Sequence, residues 1–225
     1  MELRHTIDFL TELTYNNNRE WFLDHKEDYL HAKTEYEDFV NRLIIGINAF
    51  DPAVGLQTAA SCSYRIYRDV RFSRDKSPYK TWMGAYMCPG GRKSGRPGYY
   101  FHIEPVSDIL IGHHLLAAGL YQPSPKTLRN IRTGILEHGR SFDMAVKAAK
   151  GFTLDEGPGE RLQRTPPGFP KDFRYADYLK CRQYCLAMPI KKEEDISVEN
   201  VLSAFRSTKR YMDFIAKAMV CPSKR

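Results

Sequence analysis

The chain carries none of the short signatures that name a reaction. There is no GxSxG, no GxxxxGK[ST], no HExxH and no GxGxxG after a strand. Nothing therefore marks an acyl-transfer nucleophile, a P-loop, a zinc protease or a dinucleotide fold. No apolar run approaches the ~20 residues needed to cross a bilayer, so no membrane span is expected. Met1 to Leu10 carries Glu2, Arg4, His5 and Asp8 where a secretory leader needs an apolar core, so no leader is expected either. Cysteine is sparse: five residues, at 62, 88, 181, 185 and 221, odd in number and widely spread. With no CxxC and no nearby histidine pair, they argue against a disulfide framework and against a metal site, and for reduced thiols in a cytoplasm. No internal repeat and no long Pro/Ser linker is present, so residues 1–225 read as a single domain.

What is present is an ordinary globular composition with an uneven charge. The 225 residues are 42% apolar and 27% charged, with a net charge of +7. Residues 1–60 hold five basic and 11 acidic side chains, a net of −6. Residues 61–105 hold nine basic and three acidic, a net of +6. The basicity begins abruptly at Tyr64–Lys80, which sets Arg65, Arg68, Arg71, Arg74, Lys76 and Lys80 against only Asp69 and Asp75. Guanidinium groups at this density, interleaved with Tyr67, Phe72 and Tyr79, suit an anion such as a phosphate or carboxylate. The competing reading is that the acidic N-terminal third packs on this stretch, where exposed pairs contribute only ~0–1 kcal/mol each.

Hydrophobic spacing sets the expected elements. Leu3, Ile7, Leu10 and Leu13 predict a helix over 3–14. Asn17, with Glu20 three residues on, predicts the N-cap of a long helix that ends before Asp51-Pro52, with at most one interruption. Residues 62–72, 82–88, 98–104 and 108–121 read as strands, with a turn at Glu104–Asp108 and a basic, mobile glycine loop GGRKSGRPG between two of them. Helices through Leu128, Ile131 and Ile135 and over about 141–149 follow, then a loop with Gly157-Pro158-Gly159, a strand at 181–187 and a last long helix capped by Ser197. The fold class is α+β: an antiparallel sheet from the middle third, packed against long N- and C-terminal helices.

The alternation places Ile66, Arg68, Val70 and Phe72 on one face of the first strand and Arg65, Tyr67, Asp69 and Arg71 on the other. Backbone amides from Ser73 to Ser77, with Lys76 and Lys80, are candidates for an anion nest. Gly90, Gly91, Gly95 and Gly98 match no phosphate loop. His113 and His114 read as structural. His102 in GYYFHIEP lies two residues from Glu104, so both side chains face one side of a strand; with Asp69 it is a candidate general base. Arg19 in a helix's first turn opposes the macrodipole, which makes it a candidate partner of the arginine stretch around one ligand. Arg132 is placed with Arg19 beside that site.

Two blocks carry a resemblance. Asn17-Asn18-Arg19-Glu20-Trp21-Phe22 and Tyr67 through Lys80 are similar to the uncharacterised family called domain of unknown function 2461. The likeness continues at Gly98-Tyr99-Tyr100, Ala118-Gly119-Leu120-Tyr121, Leu128, Arg132, Leu162-x-Arg164-x-Pro166-x-Gly168-Phe169 and Tyr178-Leu179-Lys180, in order over nearly the whole chain. Arg74, Ser77 and Ala118 stand where the family has Lys, Thr and Gly more often. The resemblance implies one domain with one motif-rich site and no particular reaction or cofactor. The expected anion-binding set is Arg19, Arg65, Arg68, Arg71, Arg74, Lys76, Tyr79, Lys80 and Arg132. The expected partner is an anionic small molecule held in a pocket, possession of an enzyme activity being open. The alternatives are a nucleic acid on a basic, aromatic sheet face and a ligand-free protein-interaction module. The acidic N-terminal third weighs against a broad nucleic-acid footprint.

Overall fold

The computed structural model describes residues 2–105, 113–154 and 161–220. The N-terminal third is helical, as its spacing predicts. Helix α1 (Arg4–Tyr15) buries Ile7, Leu10 and Leu13 against α3 (Lys26–Phe50). The expected interruption falls at His25, which separates α3 from the short α2 (Arg19–Asp24). Tyr36, Phe39, Leu43 and Ile47 of α3 form the floor on which the sheet rests.

Five strands are described: β1 (Met83–Met87), β2 (Gly98–Ile103), β3 (His114–Leu120), β4 (Thr153–Leu154) and β5 (Tyr184–Ile190). They form one antiparallel sheet in the order β1-β2-β3-β5-β4. Register decides which side chains share a face. Tyr99 and Phe101 of β2, with their partners Ala118 and Leu116 of β3, face the helices. Phe101 stacks on Phe39 at 5.0 Å, and Tyr99 meets Phe205 edge-on and donates to Asp51 at 2.8 Å. A four-residue helix, α4 (Ala59–Cys62), leads into the basic stretch, and the C-terminal layer is α5 (Pro125–Ala148), α6 (Ala176–Leu179), α7 (Val198–Ser207) and α8 (Lys209–Val220). The two helices expected near 128–149 are halves of α5, which breaks at His138 (φ −132°, ψ 36°). Beside the break, a Cβ on Gly139 would fall 2.4 Å from the Tyr175 ring, so only glycine lets that ring close on the helix. Ser197 caps α7 as expected, and the last helix divides at Thr208.

Three expectations are corrected. Residues 62–72 are not a strand. The stretch leaves the sheet after the Ser63–Ala85 bridge and returns on itself, with Arg68 N–H donating to Pro78 O (2.9 Å) and Lys80 N–H to Ile66 O (2.8 Å). Its alternation does not match its burial: Ile66 is buried, whereas Phe72 is 97% exposed. Second, β5 begins at Tyr184 rather than at 181. Third, Asn18 caps α2, accepting from Trp21 N–H at 2.9 Å. Asn17 is used elsewhere: its amide donates to Tyr79 O (3.0 Å) and accepts from Tyr79 N–H (3.1 Å), across 62 positions of chain. The expected turn at Ser107-Asp108, the glycines at 157 and 159, and Cys221 lie outside the described residues.

The Asn17 pair and the Tyr79 ring, stacked on Phe22 at 3.9 Å, fasten the returning arm of the basic loop to α2. Asn17→Ala strands the part-buried Tyr79 amide, so it should cost about 1–3 kcal/mol. Asn18→Ala, the loss of a cap, should cost about 1 kcal/mol. Hydrogen exchange separates them: the first variant should lose protection at Arg68 and Lys80, the second only in α2.

Candidate functional site

The basic loop holds itself together. Arg71 chelates the Asp69 carboxylate through Nε (2.9 Å) and Nη2 (2.6 Å), holding Asp69 below and Arg71 above their ordinary ranges. Asp75 accepts from the Ser77 hydroxyl (2.6 Å) and amide (2.9 Å) and is ion-paired with Arg68. These Ser77 bonds, with Arg68 behind them, hold its carboxyl far below the usual range. Lys76 donates to Val70 O at 3.0 Å. Arg19 and Arg74 are exposed, and Arg19 stands near enough to Tyr79 to oppose the burial that raises that phenol. Arg132 is buried in α5, donating through Nη2 to Cys181 O at 2.8 Å and standing near enough to the Tyr184 phenol to oppose the burial that raises it. The nine sequence-nominated side chains thus do not line one concavity. One of them, Lys80, sets its ammonium over Tyr64 and Trp82, two rings that wall another.

That concavity is on the sheet face away from the helices. Ala117, Gly119, Cys185 and Ala187 pave it with small side chains, and they share a face because register pairs them with one another or with β2's even-numbered residues. The cavity above them is about 530 Å³. Tyr64, Trp82, Tyr86, Tyr100 and Tyr121 wall it with rings, and Arg92 and Arg96 of the glycine loop reach its rim. Arg92 lies over the Tyr64 ring at 5.0 Å, and Lys80 over Trp82 at 4.7 Å. Burial first, then the charges of Arg65 and Arg92, lower the Lys80 pKa. The Lys80 ammonium itself donates to the Arg65 carbonyl at 2.6 Å. A smaller cavity of about 320 Å³ among α1, α2 and α3 carries Asp8, Glu12 and Asp28, charges that repel an anion.

Beneath the rings runs a polar chain. Tyr100 Oη lies 2.8 Å from His102 Nδ1, and His102 Nε2 lies 3.0 Å from Glu104 Oε2. His102 and Glu104 have no exposed surface. The Glu104 amide donates to His114 Nδ1 (3.2 Å), and His114 Nε2 stands 3.9 Å from Glu193. Burial, then the charges of His102 and His113, drive the His114 pKa down to about 4. Burial, with the charges of Tyr64, Glu104 and Tyr121, pushes the Tyr100 phenol up. Residues 100, 102 and 104 form one row because alternate side chains of a strand share a face. The sequence showed His102 and Glu104 together, but not that they point away from Asp69 and end at Tyr100. It also left out Tyr64, Trp82, Arg92 and Arg96; the glycine loop's three cations were the available signal. Among the described residues no group of three or more His, Cys, Asp or Glu side chains is placed to hold a metal ion.

His114 gives the site a pH signature. Its folded pKa lies below the unfolded value of ~6.5, so its contribution is complete above that pH and declines as pH falls towards about 4. The loss over that window should reach roughly 3 kcal/mol. Chemical denaturation from pH 7.5 to 4 should show it in the parent, and His114→Gln should remove most of the slope. Parallel curves for the two proteins would exclude a neutral, buried His114.

No curated protein and no solved structure matches the chain. One family does: the model for the conserved hypothetical protein family DUF2461 matches residues 5–214, and the chain belongs to that family.

Proposed function

We propose that this domain binds a small anionic molecule bearing a ring, in the cavity on the open sheet face. The observation that carries the reading is the placement of the Lys80 and Arg92 cations over the Tyr64 and Trp82 rings that wall the cavity. A carboxylate or phosphate there relieves cation repulsion and meets charge-assisted donors, while the ligand's ring lies among Trp82, Tyr100 and Tyr121. The small residues on the floor leave space for that ring. Arg68 and Arg71, already paired with Asp75 and Asp69, act as scaffold of the neighbouring loop.

Thermal shift and calorimetry with phenyl phosphate, phenylpyruvate and inorganic phosphate test this. The two ring-bearing anions should bind more tightly than phosphate alone. Lys80→Met and Arg92→Met should each weaken binding by about 10- to 100-fold, as expected for loss of a hydrogen bond to a charged group at ~1.5–3 kcal/mol. Arg74→Ala should leave affinity unchanged. Equal binding by the Lys80 and Arg92 variants removes the reading.

One observation favours a second use of the surface. Phe72 is 97% exposed at the tip of a loop whose Arg71, Arg74 and Lys76 are exposed as well. An exposed ring among cations suits stacking on an unpaired nucleic-acid base. Fluorescence anisotropy with labelled oligothymidylate should then show binding that weakens steeply with salt. Phe72→Ser should cost about 1–3 kcal/mol. Absence of binding at low salt eliminates this use.

A further inference from the structure

We propose that the cavity is a site of proton transfer and that the Tyr100 hydroxyl takes the proton from the bound molecule. This rests on the ligand reading above. Most buried histidines satisfy both ring nitrogens and do nothing more. Here the chain that satisfies His102 ends at the hydroxyl of Tyr100, a residue that lines a cavity of about 530 Å³. Gly84 keeps that hydroxyl in place, since a Cβ there would fall 2.6 Å from Tyr100 Oη. The tautomer follows from the partners. Donation from His102 Nε2–H to the Glu104 carboxylate leaves Nδ1 with its lone pair facing the Tyr100 O–H. A carboxylate orienting an imidazole that accepts from a hydroxyl is the arrangement of an activated oxygen.

The step balances without a further reactant. A C–H bond next to a ligand carbonyl breaks, and its proton bonds to Tyr100 Oη. The Tyr100 O–H bond breaks at the same time, and that proton bonds to His102 Nδ1. The C–H electron pair stays on the ligand as an enolate. Tyr100 ends neutral and His102 ends as an imidazolium beside Glu104. The raised phenol favours this concerted route over a free phenolate. Both new charges have partners: the enolate lies below the Lys80 and Arg92 cations, and the imidazolium against Glu104. The substrate class is therefore a ring-bearing carbonyl compound with a carboxylate or phosphate. Return of the proton to another atom makes the reaction an isomerisation.

Phenylpyruvate is a suitable probe, since it carries a ring, a carboxylate and an acidic C–H beside a ketone. Its C3 protons should exchange in D2O at least 10-fold faster with the protein than in matched buffer, read by proton NMR. Tyr100→Phe and His102→Gln should reduce the protein-dependent rate by about 100-fold or more. Tyr100→Phe leaves His102 Nδ1 without its donor and should melt a few degrees lower, yet stay folded at the assay temperature and bind phenylpyruvate within about twofold of the parent, which separates chemistry from folding. Nitrogen-15 NMR of histidine should show His102 Nδ1 unprotonated and Nε2 protonated. A protonated Nδ1 in the free protein at neutral pH overturns the proposal. Binding without accelerated exchange overturns the proposal and leaves the ligand reading standing. Failure of phenylpyruvate to bind the parent removes both.

Discussion

Strand β2 is buried on both faces, and the two burials are of opposite chemistry. Tyr99, Phe101 and Ile103 face the helices with no exposed surface, and Phe101 meets both Tyr36 and Phe39 of α3. Tyr100, His102 and Glu104 occupy the other face. A one-residue slip of register exchanges the two sets and puts a carboxylate into the aromatic core. The apolar set thereby fixes the polar one. The hydrophobic core holds Tyr100, His102 and Glu104 in line more firmly than their own hydrogen bonds can, since a typical hydrogen bond contributes only about 0.5–1.5 kcal/mol net.

The basic loop obeys a different constraint. Charges in a loop that water reaches have little to gain from distant partners, and they bond to whatever is adjacent. Arg71 finds Asp69 two residues away, and Asp75 finds Ser77 two residues on. These local closures compete with a sheet ladder for the same backbone. They account for a sequence that alternates like a strand yet projects as an arch. The apolar residues of the stretch divide accordingly. Ile66 and Tyr79 root the arch against the core, whereas Phe72 is left in solvent at its tip.

Periodicity made the long helices and four of the five described strands, β1, β2, β3 and β5, legible, because long apolar stripes admit few alternatives. The breaks at His25, His138 and Thr208 were partly visible or invisible, since each depends on a contact made elsewhere, such as the Tyr175 ring against Gly139. The residues nominated from the sequence centre one loop upstream of the ring-walled cavity. Density of charge drew attention to residues 65–76, but density says nothing about pairing, and Asp69 and Asp75 had already taken two of the arginines. Lys80 was recognised, whereas Arg92 and Tyr64 were not, because the stacking that joins them is a relation across 28 positions of chain and has no local sequence mark. Asn17 was assigned a local role that its neighbour performs, and its own bond is equally remote.

The Tyr86 phenol, at the floor of the cavity, lies 2.8 Å from the Arg96 carbonyl and 3.0 Å from that of Gly119. One phenolic proton serves two acceptors. Burial keeps the phenol far from ionising, so the proton is always there to be shared. Were the glycine loop to lift, that proton would stay with Gly119 and the Arg96 carbonyl would turn to water. Opening therefore exposes no orphan inside the protein, and a loop whose Gly90, Gly91 and Gly95 all have positive φ meets little steric resistance. The latch tightens in the closed position without a matching penalty in the open one. Widening the cavity on this side therefore calls for breaking the Tyr86–Arg96 bond and no ladder bond of the sheet beneath it.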